Sequence, residues 1–393
     1  MAYATVTRQQ SMLALWYVTN ASLISYRKLS ERFGDAKSAL TAAKADWQAL
    51  GIHAAHINRW QDEANTLAFI DKVAHDVSIG SYSMCFLGDE DYPQALMAIY
   101  DPPPVLFYRG NLSRLNERQI AIVGSRTPTE DAQKITFDLA QYLVQAGFVV
   151  TSGLAQGVDR QAHLGALAQL PALSGRTIGV MGTGIDVCYP RNHTALFAQI
   201  VAEGGCLISE LLPSTPASKH TFPRRNRLVA GLSLATVVTE AALQSGSLIT
   251  ARLSAEMGKQ VFAIPSSINN PNAEGCHHLI REGATLIYHP EQIIEDLNQG
   301  GDFFNALPKT FSQGMSVYAE LSSVPTPAAS TPNKSTVIVP EHLSAVYDMM
   351  DEPRDLDALV MMSGHPVAQL LSALMELEIL GLIQQTGGRY AKS

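Results

Sequence analysis

Cysteine and long apolar runs are both scarce in this chain of 393 residues. The four cysteines lie far apart and form no CxxC pair, which argues against a zinc ribbon and a disulfide framework. No apolar run reaches the roughly 18 residues of a membrane span, so no transmembrane helix is expected. The first residues lack the basic start and apolar run of a signal peptide. We therefore expect reduced, buried cysteines in a cytoplasmic protein.

Charged residues are also infrequent, at 16%, and the net charge of −8 does not by itself point to a nucleic-acid-binding protein. The charge is unevenly distributed, however. Residues 215–260 contain six lysines and arginines against two glutamates, whereas residues 301–393 contain five cations and ten anions. A local basic patch can bind a polyanion while the whole chain stays acidic.

Hydrophobic patterning divides the chain into four segments. Residues 1–80 show helical spacing of apolar residues, which predicts a small helical domain. Residues 81–300 alternate short apolar runs with helix-length stretches, which predicts a parallel sheet covered on both faces. Residues 301–336 have the composition of a linker. Three expected short helices, at 342–350, 355–363 and 367–380, and a hairpin then predict a winged-helix-like domain over 337–393.

The expected fold class is therefore α/β, with a Rossmann-like, doubly wound parallel sheet between two smaller domains. A further strand is expected at 105–108, just before the sheet. The expected strands of the sheet are 120–123, 148–151, 178–181, 206–208, 236–238, 261–264 and 286–287, and two of the expected helices are 129–146 and 192–202.

In such a sheet, ligands bind beyond the carboxyl ends of the strands. Small residues and hydroxyls follow three of the expected strands, at 124–126, 152–153 and 245–247, where they can meet a phosphate. Each of these stretches can equally be an ordinary turn. Asp159 can bind a ligand or cap the following helix, and Asn192 is expected to cap a helix.

The densest basic stretch begins at Lys219, and three arginines follow Phe222 within it. Bases can stack on the phenyl ring while the cations neutralise phosphates, which is typical of sites for single-stranded nucleic acid. The alternative is a solvated basic helix face with Phe222 in the core. Helical periodicity also turns some of the arginines away from any single ligand.

Motifs for catalysis and for resident cofactors are missing. The chain has no GxSxG, HExxH or GxxxxGK[ST] motif, and Gly182-x-Gly184 lacks the third glycine of a dinucleotide site. The adjacent His277 and His278 diverge and make no metal site. Glu240 can bind a ribose hydroxyl, act as an acid or base, or hold a loop. We expect no cofactor, no metal and no catalytic residue.

Several long motifs resemble those of the DprA/Smf family and occur in the family's order. They are residues 124–126, 152–159, 182–186 with 189–192, 222–233, 245–251 and 262–265. The resemblance is strong over roughly residues 90–290. The first segment is similar to the SAM- or helix-hairpin-helix-like domain of many members, and the last is similar to their winged-helix-like domain.

The resemblance implies a cytoplasmic protein, not an enzyme, that binds single-stranded DNA without sequence preference. It implies that the protein protects the strand, loads RecA during natural transformation, and forms a homodimer through the Rossmann-like domain. It assigns Arg126 to the DNA backbone, and Lys219 and Phe222 to the DNA pocket. Ser266 departs from the glycine usual in the family, and His277 departs from the usual asparagine.

The leading hypothesis is thus a single-strand-binding protein. A phosphoribohydrolase-like enzyme that uses Glu240 with residues 245–247 is the alternative, and a scaffold that only dimerises is a third possibility. The predicted DNA-binding residues are Gly124, Ser125, Arg126, Ser152, Gly153, Lys219, Phe222, Arg224, Arg225, Asn226, Arg227, Ser245, Gly246 and Ser247.

Overall fold

The computed structural model describes residues 2–173, 175–299 and 341–350, together with 354–355, 359, 362–363, 370, 373–374, 377, 382–386 and 389–392. Contacts between residues divide the chain into two compact units, 1–318 and 319–393. The expected linker at 301–336 lies outside the described residues. Over the part of the chain that is described, no helix is long and apolar enough to span a membrane.

The first segment is helical, as the spacing of its apolar residues predicts. Polar side chains begin these helices: Thr7 accepts a hydrogen bond from the backbone N–H of Gln10, and Ser22 and Asp35 cap the next two helices. The α-helices here are α1 (Arg8–Val18), α2 (Leu23–Phe33), α3 (Ala36–Thr41), α4 (Lys44–Ala49), α5 (Ala54–Gln61) and α6 (Glu63–Ser78).

A nine-stranded sheet follows in the described residues. Its strands are β1 (Ser83–Phe86), β2 (Val105–Gly110), β3 (Gln119–Val123), β4 (Val149–Ser152), β5 (Thr177–Val180), β6 (Cys206–Ser209), β7 (Ala235–Val238), β8 (Gln260–Ala263) and β9 (Thr285–Leu286). Their order is β1-β2-β6-β5-β4-β3-β7-β8-β9. The strands from β6 to β9 in this order are parallel, and β1 and β2 extend the sheet antiparallel.

The chain reverses its direction of growth between β3 and β7. It builds outward from β3 to β6, returns to place β7 beside β3, and continues to β9. Val123 at the end of β3 lies opposite Val238 at the end of β7. This is the switch point of a doubly wound sheet, where the loops on the two sides diverge and leave a crevice.

Helices cover both faces of the sheet. Ala121 and Val123 of β3 belong to one apolar cluster and Ile120 and Ile122 to another, because successive side chains of a strand point to opposite faces. The helices are α7 (Gln94–Met97), α8 (Glu130–Gln145), α9 (Val158–Leu167), α10 (Thr194–Ala202), α11 (Thr221–Leu232), α12 (Ser247–Glu256), α13 (Glu274–Arg281) and α14 (Glu291–Gln299). The α/β, doubly wound fold is confirmed.

Among its described residues the second unit contains α15 (Glu341–Asp348) and a small sheet of β10 (Arg354–Asp355), β11 (Ile383–Thr386) and β12 (Arg389–Lys392). Residues 359, 362–363, 370, 373–374 and 377 are helical as well. The expected hairpin is confirmed, although its turn at 387–388 lies outside the described residues. A helix beginning at Asp355 is wrong at that residue, because Asp355 pairs with Arg389 in an antiparallel ladder. The rest of the second and third expected helices lies largely outside the described residues.

Two further expectations need correction. Residues 83–86 were not among the expected strands, but they pair with β2 as an antiparallel edge. Asn192 does not cap a helix. It lies within the 3₁₀ turn Arg191–His193, and α10 begins one residue after this turn.

The N-terminal helices pack directly on the sheet. Leu15 and Trp16 of α1 are fully buried in one apolar cluster with Phe107 of β2 and Leu207 of β6. The helical segment and this face of the sheet therefore share one core. The boundary near residue 80 marks a change of secondary structure, and as a domain boundary it stays a prediction.

Shortening a side chain in this shared core should destabilise the protein. Leu15→Ala removes a fully buried side chain, so we expect the free energy of unfolding to fall by about 2–5 kcal/mol. Ile24→Ala on the neighbouring helix is the control. Its side chain is 64% exposed, and its effect should stay within about 0.5 kcal/mol. Urea unfolding of both variants measures the difference, and equal losses would contradict the shared core.

A buried histidine joins the end of β4 to β5. Nε2 of His163 lies against the carbonyl of Gly153, and Nδ1 lies 2.7 Å from the hydroxyl of Thr177. A neutral imidazole satisfies both contacts by donating to the carbonyl and accepting from the hydroxyl. Burial lowers the pKa of His163 to about 4, which keeps the ring neutral in the folded chain.

The pKa of His163 predicts a pH dependence of stability. The unfolded chain has the ordinary histidine pKa of about 6.5, so protonation favours unfolding between pH 6.5 and 4. Stability from this residue is complete above this window and declines by about 3 kcal/mol as the pH falls through it. His163→Gln cannot titrate and should lack this decline. Urea unfolding at several pH values compares the two, and parallel pH curves would contradict the assignment.

Candidate nucleic-acid interface

A cleft of about 780 Å³ lies at the switch point between β3 and β7. It collects loops that follow several strands, together with the first turns of α11 and α12. Of the predicted DNA-binding residues, the cleft is lined by Gly124, Ser125, Arg126, Gly153, Lys219, Phe222, Arg225, Asn226, Ser245, Gly246 and Ser247.

The turn after β3 carries Arg126 to the mouth of the cleft. The backbone of Ser125 holds this turn on both sides: its N–H donates to the carbonyl of Glu240 at 2.6 Å, and its carbonyl accepts from Val158 at 3.0 Å. Gly157, with φ +80°, packs so closely that a Cβ there would strike Ser125 and Arg126. Arg126 therefore projects, exposed, from a fixed backbone.

Two aromatic rings form a platform beside Arg126. Phe222 lies in the first turn of α11, and its ring centroid lies 5.5 Å from that of Tyr189 and 5.9 Å from Cζ of Arg126. The phenyl ring rests on the turn after β5, where a Cβ on Gly182 would come within 2.6 Å of it. Rings and guanidinium planes of this kind stack on nucleobases.

Two buried side chains of opposite charge, Arg225 and Asp159, form the floor of the cleft. Nη1 of Arg225 donates to the carbonyl of Val180 at the end of β5, and the guanidinium lies beside Asp159 of α9. Burial raises the pKa of Asp159, and the positive charge of Arg225 opposes this rise. The pair sits directly over Gly153, where a Cβ would strike both side chains. Asp159 accepts from the backbone N–H of Ala155 at 3.2 Å, and it does not cap α9, whose N-cap is Gly157.

The other side of the cleft is polar but uncharged. The hydroxyls of Ser245 and Ser247 lie 2.6 Å apart where α12 begins. Nδ2 of Asn226 donates to the carbonyl of Gly246 at 3.3 Å and so joins α11 to this turn. The hydroxyls and the N–H groups at the start of α12 can bind a phosphate or the edge of a base here.

Three predicted residues do not join the others. Ser152 is fully buried in β4 and donates its hydroxyl to the carbonyl of Ile122, so no ligand reaches it. Arg224 and Arg227 leave α11 on the side away from the cleft and pair with the buried Glu210. The physical reason is the helical period, which places positions 224 and 227 behind positions 222, 225 and 226.

Glu240 does not line the cleft. It is 2% exposed, and its carboxylate accepts from the N–H and hydroxyl of Thr129 at 3.0 and 2.7 Å and from Nδ2 of Asn270 at 3.1 Å. Both oxygens are therefore engaged in holding loops. This arrangement supports the loop-holding role of Glu240. The phosphoribohydrolase alternative needed Glu240 as an acid or base in the cleft, and this arrangement counts against it.

Sequence reasoning missed several cleft residues. Tyr189, Gln244 and Asn272 line the cleft, although none was predicted to bind. Tyr189 stands next to Pro190 in a motif that carried the family resemblance, and this was the one available signal. Gln244 and Asn272 have no pattern of their own, because only the folded loops bring them to this edge.

The charge of the cleft favours a polyanion. Arg126 and Lys219 are exposed at its mouth, and Asp159, the acidic residue among the described lining residues, is buried against Arg225. Among the described residues, no group of three or more His, Cys, Asp or Glu side chains could hold a metal ion. Cations beside stacked rings suit a flexible chain of phosphates and bases.

Two family models match this chain. The model for DNA recombination-mediator protein A matches residues 83–298, and the model for the DprA winged helix domain matches residues 325–389. The first match spans the whole sheet and the cleft. The second supports a winged helix in the C-terminal unit.

The relatives agree with these models. The chain is 37% identical to Protein Smf of Escherichia coli over 77% of this chain and 75% of that protein. It is 41% identical to DNA processing protein DprA of Streptococcus pneumoniae over 53% of this chain and 72% of that protein.

Two solved structures are similar as well. The X-ray structure of DprA from Streptococcus pneumoniae covers 74% of this chain and 98% of its own, with a TM-score of 0.62 and 32% identity. DprA from Helicobacter pylori, whose structure is described by its single-stranded DNA binding mode, covers 56% and 96%, with a TM-score of 0.50 and 32% identity. By sequence, fold and domain content, the chain belongs to the DprA/Smf family of DNA recombination-mediator proteins.

Proposed function

We propose that this protein binds single-stranded DNA in the cleft at the switch point, without sequence preference. The observation that carries the proposal is the placement of Arg126, Lys219 and Phe222 on one cleft, with Tyr189 beside the phenyl ring. Cations that follow a phosphate backbone and rings that accept any base are together what a sequence-tolerant site requires.

The mouth of the cleft also fits a strand better than a single nucleotide. The aromatic platform and the Ser245–Ser247 turn line the same cleft, and a second, smaller pocket of about 170 Å³ adjoins it at Arg126 and Phe222. A flexible strand can occupy several such places at once. Binding of a single DNA strand also agrees with the name of the matching family model, DNA recombination-mediator protein A.

The proposal extends to the later steps that the family resemblance implies. We propose that the bound strand is protected, that RecA is loaded on it during natural transformation, and that two copies associate through the Rossmann-like domain in the cytoplasm. A similar protein from Helicobacter pylori is described by its single-stranded DNA binding mode, which supports the first step. The chemistry of the cleft requires no catalytic group for any of these steps.

Removing either exposed cation should weaken binding and reduce its salt dependence. Arg126→Ala and Lys219→Ala should each lower the slope of log affinity against log salt by about 0.7 for each lost phosphate contact. Fluorescence anisotropy with labelled oligothymidine at several salt concentrations measures both quantities. The matched controls are Arg32→Ala and Lys72→Ala, exposed cations on α2 and α6 outside the cleft. Slopes as high as that of the unmodified chain would contradict the site.

Removing the ring should weaken binding and leave the salt dependence unchanged. Phe222→Ala should cost about 1–3 kcal/mol of binding free energy, because a stacked base loses its platform while every cation stays. The same titration measures it. Tyr288→Ala is the control, since that ring is 79% exposed and lies outside the cleft. Duplex DNA of equal length should bind more weakly than oligothymidine, and equal binding would count against a site for unpaired bases.

A further inference from the structure

Helix α11 faces the cleft on one side and the buried Glu210 on the other. Phe222, Arg225 and Asn226 line the cleft from one side of the helix, at the spacing i, i+3, i+4. Arg224 and Arg227 leave the other side, also three residues apart. A rotation or shift of α11 moves both sets together, so whatever holds the two arginines also sets the place of Phe222.

Both arginines converge on one buried carboxylate. Glu210 follows β6 directly and is 2% exposed, and its Oε1 accepts from Nε of Arg224 at 3.0 Å. Its Oε2 accepts from Nη2 of Arg227. Breaking a buried ion pair by removing one partner is strongly destabilising, because the other charge stays behind without compensation. The carboxylate therefore fixes the orientation of α11 against the sheet.

Two links join this carboxylate to the N-terminal helices. Trp16 of α1 donates from Nε1 to the backbone carbonyl of Glu210 at 2.9 Å. On the second path, Arg27 of α2 pairs with the side chain of Asp101 at 2.7 Å, and the carbonyl of Asp101 accepts from Arg227. The helical domain thus contacts α11 through Glu210 and through Asp101.

Trp16 also touches one arginine of the pair directly. Its ring lies 5.5 Å from Cζ of Arg224, which places the guanidinium between an aromatic face and the carboxylate of Glu210. Neither Trp16 nor Glu210 lines the cleft. Both residues contact arginines of α11, so α11 is the structural route by which they can affect a ligand there.

We propose, on the basis of the proposed function, that Glu210 is a positioning residue for single-stranded DNA binding and that the N-terminal helical domain acts through it to hold Phe222 in the cleft. The helical domain is then part of the binding device without touching DNA.

The charge of Glu210 lets the direction of the change in DNA affinity distinguish two explanations. Glu210 is an anion near a site for a polyanion, so its neutralisation would raise affinity if long-range electrostatics alone mattered. Positioning predicts the opposite, because two arginines lose their shared partner and α11 loses its fixed orientation. Glu210→Gln keeps the size of the side chain, removes the charge and replaces one of the two acceptor oxygens by an NH2 donor.

The experiment is a double-mutant cycle with the full chain and labelled oligothymidine. Glu210→Gln should weaken binding by about 3- to 30-fold with an unchanged salt slope, and it should add nothing when Phe222→Ala is already present. Affinity that is unchanged or raised by Glu210→Gln overturns the inference. The same fold-loss with and without Phe222 also overturns it, because it would show an effect that does not pass through the ring.

A second cycle replaces Trp16 by Phe, which keeps an aromatic ring but removes the donor to Glu210 together with part of a fully buried side chain. It should weaken binding in the same direction and again only when Phe222 is present. Stoichiometric titration gives the competent fraction of each variant, so partial unfolding is measured separately from affinity. A wild-type chain that does not bind oligothymidine contradicts the proposed function. A wild-type chain that binds, with variants that bind equally well, contradicts only the inference about Glu210.

Discussion

The parallel pairing of β3 with β7 is the interaction on which the cleft depends. These strands are far apart in sequence, yet Val123 lies opposite Val238, so the loops that follow them begin side by side. Arg126 comes from the first loop and Ser245 from the second. Because helices leave these strand ends toward opposite faces, the space between the loops stays open. A sheet in which β3 and β7 were not neighbours would separate the two loops by at least one strand.

Much of this arrangement could be predicted from the sequence. Runs such as residues 120–123 are apolar throughout, and a strand buried on both faces needs no other signal. Strands buried in this way put their following turns at one edge, so the prediction of a site at residues 124–126 and 245–247 needed only the fold class. The edge strand Ser83–Phe86 carries no such run, and its pairing with β2 arises only in the folded chain.

The individual roles of the basic residues could not be predicted in the same way. Helical spacing divides 222, 225 and 226 from 224 and 227, but it does not say which side meets the ligand. Glu210 decides this, because it is a buried carboxylate that satisfies Arg224 and Arg227. Nothing near Glu210 in the sequence marks it as their partner. Similarly, Ser152 has the residue type of a phosphate-binding hydroxyl, but its position at the end of a covered strand removes it from solvent.

Arg225 shows how burial changes the use of a cation. An arginine among other basic residues looks like a phosphate ligand, yet its guanidinium is buried near Asp159 and donates to the carbonyl of Val180. It gives the floor of the cleft a compensated charge, while Arg126 and Lys219 supply the exposed charge at its mouth. Attraction of a strand and rigidity of its site are thus provided by different residues.

The core shared by the N-terminal helices and the sheet limits how the chain can be shortened. A fragment that begins near Ser83 would keep every strand and the whole cleft, yet it would expose the faces of Phe107 and Leu207 that Leu15 and Trp16 cover. Such a fragment would expose a hydrophobic surface to water and would self-associate. Altered binding by a truncated chain would therefore combine the effect of that uncovered face with the loss of the contact between Trp16 and Glu210.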